Sequence, residues 1–351
     1  MNIKTNYSLK KYNTFETDVK AKYFASVKSI TQLKEILQTY PDEKLLLLGE
    51  GSNTLLVDDW DGLALKIDIK GKEIIKENNQ NVEIKVHSGE IWDKFVRYTV
   101  KNNWSGIENL VMIPGTVGAG VAQNIGAYGQ EVVNTLVSIE ALNRNTLKNQ
   151  VFSPKECGFR YRNTFFKNEW REEYVIVAAT FRLKRYEKGE ESDRKYHKYI
   201  EGMKTYEGLK EELKTFAKEP YSIKNIMDAV IKQREKKLPS LKEYGTCGCI
   251  FENPIITKEK YDELEKKIPG LPSYPFEENM VKIPAGKLLD ELGWKGKWEG
   301  NVGVFERHAL CIVTNREATG EEILNFIKEM QEDVLQKYDV QLGLEINIIK
   351  K

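Results

Sequence analysis

Apolar residues recur along this chain at spacings of two and of three to four, in short segments separated by polar or glycine-rich stretches. Residues 30–38 set Ile30, Leu33, Ile36 and Leu37 at helical spacing behind Ser29, a good N-cap, and so predict a short helix. The four leucines of 45–48 predict a buried strand, as do residues 64–69; residues 82–86 predict another by alternation of apolar and polar positions. Residues 90–101 predict an amphipathic helix with Ile91, Phe95, Val96 and Val100 on one side. Strands are expected over 135–142 and 174–183. A helix is expected over 222–236 with Ile223, Ile226, Met227, Val230 and Ile231 inward, at the entrance to another domain. Between them, residues 184–218 carry so many charges that they read as a solvated insert. A helix at 288–292, a strand at 308–314, a longer helix at 321–337 and a last strand at 345–349 follow. No repeat and no low-complexity tract interrupts this order. Because strands and helices do not alternate as βαβ units, the pattern implies the α+β class.

Composition narrows the function classes. A chain of 351 residues is long enough for two or three cores. Its 54 Lys and Arg nearly balance 53 Asp and Glu, which leaves no basic excess for nucleic acid or an anionic membrane. No apolar run approaches the length of a membrane span, and the opening MNIKTNYSLKKYNTF lacks the apolar core of a signal peptide; a cytoplasmic location is expected. Four cysteines are too few for a disulfide framework. Cys247-Gly248-Cys249 is not a paired CxxC, and with three histidines in the chain no metal site is expected.

Two glycine-rich segments carry the first chemical signal. Residues 113–132 read IPGTVGAGVAQNIGAYGQEV, with glycines at 115, 118, 120, 126 and 129, the amides Gln123 and Asn124, and no basic residue. A loop that holds a phosphorylated group without Lys or Arg must do so with backbone N–H groups, and glycine permits close approach and positive φ. Residues 49–59, GEGSNTLLVDD, follow the leucine strand as a second such turn. Neither segment has the spacing of GxGxxG or GxxxxGK[ST]. Either loop alone is as easily an ordinary turn; two in one chain favour a phosphate-bearing ligand.

These two segments, together with FRYRNTFF at 159–166 and GTCGCIFENP at 245–254, resemble the UDP-N-acetylenolpyruvoylglucosamine reductase family, and the resemblance runs over nearly the whole chain. It implies two subdomains that hold FAD, of the vanillyl-alcohol-oxidase type, followed by a substrate-binding domain. The expected division is 1–70, 71–220 (with the insert at 184–218) and 221–351, the last strand returning to the flavin unit. For non-covalent FAD it implicates Gly49, Gly51, Ser52 and Asn53 of the first loop. Pro114, Gly115, Thr116, Gly118, Gln123, Asn124, Gly126 and Ala127 are implicated in the second. It implies NADPH as reductant, UDP-N-acetylenolpyruvoylglucosamine as substrate, and a monomer.

The resemblance also assigns the reacting groups. Arg162, after Tyr161, matches the family's catalytic arginine, and a guanidinium can fork onto a carboxylate. Cys249 stands where well-known members carry a serine as proton donor. A thiol, with a pKa of about 8.5, is a far stronger acid than a hydroxyl. Glu345 matches the glutamate near the family's C-terminus, although Gly343 and Leu344 replace the usual glutamate and proline before it. Tyr161, Tyr206, Lys237 and Asn253 are the implied substrate contacts; Tyr206, inside the insert, resembles a tyrosine that covers the nucleotide sugar in one branch. Out of context each has a plainer reading: an arginine or lysine on the surface, a cysteine as a small buried hydrophobe, a glutamate facing solvent. Two other functions remain open at this point. One is a different FAD enzyme on the same scaffold; the other is a nucleotide-sugar binding protein without a flavin.

Overall fold

A computed structural model describes residues 2–186, 189, 196–198, 200–201 and 207–351. The chain forms two compact units. The first comprises residues 1–6, 22–50 and 62–235; the second comprises 7–21, 51–61 and 236–351. The cut expected near 220 falls inside the first unit, because the helix Ile223–Lys237 buries Ile223, Ile226, Met227, Ala229 and Val230 in that unit's core.

Among the described residues, the first unit contains two apolar clusters. Around the smaller, the parallel pairing of strand Leu45–Leu48 with Leu63–Lys66 joins Leu33, Ile36 and Leu37 of helix Ile30–Thr39. Ser29 caps that helix as expected, its Oγ accepting the Gln32 N–H at 3.1 Å. The larger cluster lies under an antiparallel sheet of order Asn149–Phe152, Leu136–Asn143, Tyr174–Arg185, Asn81–His87, Lys72–Glu77. Asn81–His87 alternates buried and half-buried residues, the period-2 signal that made it legible. Lys72–Glu77 was not expected: it is an edge strand exposed at every residue, and KEIIKE has no alternation to betray it. The amphipathic helix is Trp92–Lys101, with Ile91 at its N-cap. Its inner face is Trp92, Phe95, Val96, Thr99 and Val100, rather than one that starts at Ile91. Trp92, Phe95 and Phe181 pack ring to ring at 5.1–6.0 Å, and the Trp92 indole N–H donates to the Leu110 carbonyl at 2.9 Å.

The solvated reading of 184–218 is corrected by its described residues. Tyr196, Ile200, Leu209 and Leu213 are buried in the larger cluster, the last two on helix Glu207–Lys214. Each pair is spaced i, i+4, a one-sided pattern that the surrounding charges conceal.

The second unit is discontinuous. Strand Thr54–Leu56 pairs in parallel with the final strand Asn347–Ile349, and Phe15 and Leu55 belong to the same core as Phe326, Ile327 and Met330 of helix Gly320–Tyr338. Thr319 and Glu322 form a capping box at the start of that helix. Ile312–Thr314 pairs with Val302–Val304, and Ile255–Thr257 with Met280–Lys282. Among the described residues no helix is long and apolar enough to cross a membrane.

Candidate active site

In the first unit the leucine strand runs into Gly49. A Cβ there would lie 2.8 Å from Thr116 Oγ1, so the absence of a side chain lets the two glycine segments touch. Glu50 accepts the Gly115 N–H at 2.9 Å, and Gly115 needs its φ of 114° to turn the chain there. Val117–Ala122 is a short helix, and its Gly118 lies against Ser88, whose Cβ would be 2.7 Å from an added Cβ. Gly118 and Gly126 do not have positive φ; close packing is what they provide. Pro114 is exposed, and Thr116 sits at the helix N-cap. Several N–H groups of the segment already have partners: Val117 donates to Glu90 O at 2.8 Å and Gly118 to Ser88 O at 2.9 Å. Ser88 Oγ, by contrast, is buried with no hydrogen-bond partner. A glycine-lined cradle with an unused hydroxyl beside it fits a dinucleotide such as FAD.

Lysine was not absent from this cradle, only from the motif. Lys66 pairs in register with Leu48, and its Nζ donates to the Gly49 carbonyl. Burial lowers its pKa, with Glu50 and Asp68 opposing. A lysine within the apolar run LALKI was the signal for it.

Gly126 and Ala127 form one strand of a tight hairpin with Gln130 and Glu131, closed by Tyr128 (φ 49°) and Gly129 (φ 79°). Asn124 is only 1% exposed and bridges three places. Its Nδ2 donates to Arg160 O at 3.0 Å and Glu131 Oε2 at 3.1 Å, while its Oδ1 accepts the Val133 N–H at 3.3 Å. The amide therefore ties the glycine segment to the next motif. Gln123 is buried beside it.

That motif is a two-residue turn. Arg160 and Asn163 exchange backbone bonds of 2.9 and 3.1 Å, leaving Tyr161 and Arg162 at the tip, with Arg162 in the left-handed region at φ 54°. A non-glycine residue there carries strain of order 1–2 kcal/mol. Its guanidinium donates to the Gly126 carbonyl at 2.7 Å and lies 5.0 Å from the Tyr161 ring centre. An added Cβ on Gly126 would lie 2.9 Å from Arg162 Nη1. Gly126 thus makes room for the arginine.

In the second unit Gly248 (φ 82°) turns the chain after buried Cys247 and presents Cys249, half-buried, as the cross-strand partner of Cys311. Burial holds the Cys247 thiol well above its ordinary range, with Cys249 and Glu345 nearby adding to the shift; it remains a thiol. Glu345 N–H donates to Ile250 O at 2.8 Å, so Cys249 and Glu345 are held on adjoining backbone. Glu345 stands in a bend, and the final strand begins only at Asn347. Asn53 clamps this bend: its Nδ2 donates to Glu345 O at 3.2 Å, and its own carbonyl accepts the Asn347 N–H at 3.0 Å. Gly51, at φ 65°, leaves no space for a Cβ against the Tyr12 carbonyl, and Ser52 beside it is half-buried. Asn253 Oδ1 accepts the Ala285 N–H at 3.0 Å, steadying the start of helix Ala285–Glu291. Lys237 is exposed at the end of its helix, and Tyr206 lies outside the described residues.

A family model described as "FAD binding domain" matches residues 21–146. One described as "UDP-N-acetylenolpyruvoylglucosamine reductase, C-terminal domain" matches 240–349. With the cradle and the thiol-bearing turn, these define a flavin-dependent oxidoreductase of the α+β class. A UDP-N-acetylenolpyruvoylglucosamine reductase of Flavobacterium johnsoniae is 42% identical over 99% of this chain and 100% of its own length; one of Pseudomonas putida is 34% identical over 97% of each. The chain belongs to the UDP-N-acetylenolpyruvoylglucosamine reductase family. Its fold is that of the Thermus caldophilus enzyme, a crystal structure at TM-score 0.65 and 21% identity that covers 99% of this chain and 98% of that one.

Proposed function

We propose that this protein uses FAD and NADPH to reduce UDP-N-acetylenolpyruvoylglucosamine to UDP-N-acetylmuramate, a precursor of peptidoglycan, acting as a monomer in the cytoplasm. The observation that carries this reading is the end-to-end match to reductases of that name, at up to 42% identity. The cradle would hold FAD without a covalent link, and bound FAD would supply hydride chemistry, with NADPH as the reductant. The glycine segments Gly49–Asn53 and Pro114–Ala127 form the cofactor's cradle, through close backbone approach and through Thr116, Ser52 and Gln123.

Reduction of an enolpyruvyl ether adds hydride at C3 and a proton at C2. Arg162, preset by its strained turn and by Gly126 O, grips the substrate carboxylate while negative charge grows on it. Cys249, half-buried after the Gly248 turn, gives its thiol proton to C2. Glu345 relays the proton or assists the enol form of the carboxylate. Tyr206 covers the nucleotide sugar, Tyr161 contacts the substrate, Lys237 meets the diphosphate or the incoming nicotinamide, and Asn253 contacts the nucleotide. The test is anaerobic turnover. NADPH should bleach the flavin, and added UDP-N-acetylenolpyruvoylglucosamine should restore its colour with release of UDP-N-acetylmuramate. A flavin that stays bleached after substrate is added overturns the reading.

A further inference from the structure

Three side chains of the second unit converge where no metal is expected from the CxC spacing. Cys249, His308 and Cys311 each bring a ligand atom within 4.8 Å of the others. Their placement is built by backbone. Cys249 and Cys311 are cross-strand partners, the Cys311 N–H donates to His308 O at 3.0 Å, and the Phe305 N–H donates to Cys311 O at 2.8 Å. The result is a His-x-x-Cys turn facing a single cysteine, a pattern with no linear motif to find.

We propose that Cys249, His308 and Cys311 form a site for a thiophilic divalent cation such as zinc, and that the bound cation takes Cys249 out of catalysis. The second half of this proposal rests on the assignment of Cys249 as proton donor; the first does not. Two thiolates at about 2.3 Å from tetrahedral zinc stand about 3.8 Å apart, so the two sulfurs need close by no more than about 1 Å. Cys249 has the freedom to do so, being half-buried and following Gly248, whose open side meets nothing within 4 Å. Phe305, Val313, Leu238 and Tyr244 pack around the cysteines as an apolar wall, a setting that strengthens metal–thiolate attraction. The Leu310 N–H meets His308 Nδ1 at 3.3 Å, a long bond that a metal taking either ring nitrogen displaces through ligation or a tautomer change. Three protein ligands leave the fourth position to water or substrate. On binding, each thiol releases its proton to solvent as its sulfur takes the metal, so affinity rises with pH.

The experiment uses the FAD-loaded full chain with a phosphine reductant to keep disulfides open. Cadmium is titrated in, and the thiolate charge-transfer absorption is followed in the ultraviolet; zinc competition follows. One cadmium per chain is expected, with zinc displacing it. Cys311→Ser and His308→Ala, whose folding is checked by flavin content, should each weaken binding by about a hundred-fold, and Cys157→Ser should not. Absence of saturable binding, or equal binding in Cys311→Ser and His308→Ala, overturns the site. Zinc should also block reoxidation of the reduced flavin by substrate in the wild type and fail to do so at the same concentration in Cys311→Ser. If metal binds while substrate reoxidation is unchanged, the inhibitory half is overturned. If Cys249→Ala still reoxidises normally while the wild type binds one metal, the catalytic reading of Cys249 fails and the site stands.

Discussion

At the residue scale, the candidate site depends on small groups that hold larger ones. Asn124, which the resemblance implicates in cofactor binding, also links Arg160, Glu131 and Val133 through its amide. Asn124→Ala should leave buried partners unsatisfied and destabilise the chain by about 2 kcal/mol or more. Its kcat should fall too, because the Arg162 turn loses an anchor. Urea unfolding and steady-state kinetics check this; unchanged values for both would contradict the anchoring role. Cys157 offers a pH test away from the site. Burial and then the Glu156 charge push its thiol from an ordinary 9.0 up to about 12, and its S–H reaches Ser153 O at 3.3 Å. Above pH 9 the unfolded chain sheds this proton while the folded chain keeps it. Stability therefore falls as pH rises through that window, by at most about 1.4 kcal/mol per pH unit from this group. Cys157→Ala should show a shallower decline between pH 9 and 11; parallel profiles would contradict the assignment.

At the element scale, the glycine helix Val117–Ala122 is a close-packed joint of the cradle. Gly118→Val must displace Ser88, including its backbone, at a cost of about 1–3 kcal/mol and with loss of flavin. The flavin-to-protein absorbance ratio of the purified variant reads this directly, and full occupancy would show that the helix yields without harm. The elements that were legible in the sequence are those whose pattern is local: the Ser29-capped helix, the leucine strand, and the alternating strand Asn81–His87. Lys72–Glu77 was hidden because an edge strand exposed at every residue needs no alternation. Leu209 and Leu213 were hidden by the charges between them. The motifs Tyr161-Arg162 and Cys249 were visible from resemblance. Lys66 beside Gly49, and His308 and Cys311 beside Cys249, were not, because strand register and tertiary turns, rather than sequence neighbours, bring them there.

At the scale of the whole molecule, the second unit draws on three stretches of chain. Phe15 and Leu55 complete its core, and Thr54–Leu56 supplies the only strand that pairs with Asn347–Ile349 among the described residues. A fragment of residues 236–351 alone should therefore lack a cooperative thermal transition, which circular dichroism would show; a sharp transition would mean that the contiguous stretch is self-sufficient. The central claim for the molecule is that Cys249 acts in only one of two half-reactions. Anaerobic stopped-flow on Cys249→Ala separates them. FAD content and reduction by NADPH should stay near the wild-type values, while reoxidation by UDP-N-acetylenolpyruvoylglucosamine should slow by roughly a hundred- to ten-thousand-fold. Cys249→Ser should recover much of that loss, since a hydroxyl fits the same turn and can donate. Reoxidation of Cys249→Ala at the wild-type rate would contradict the account.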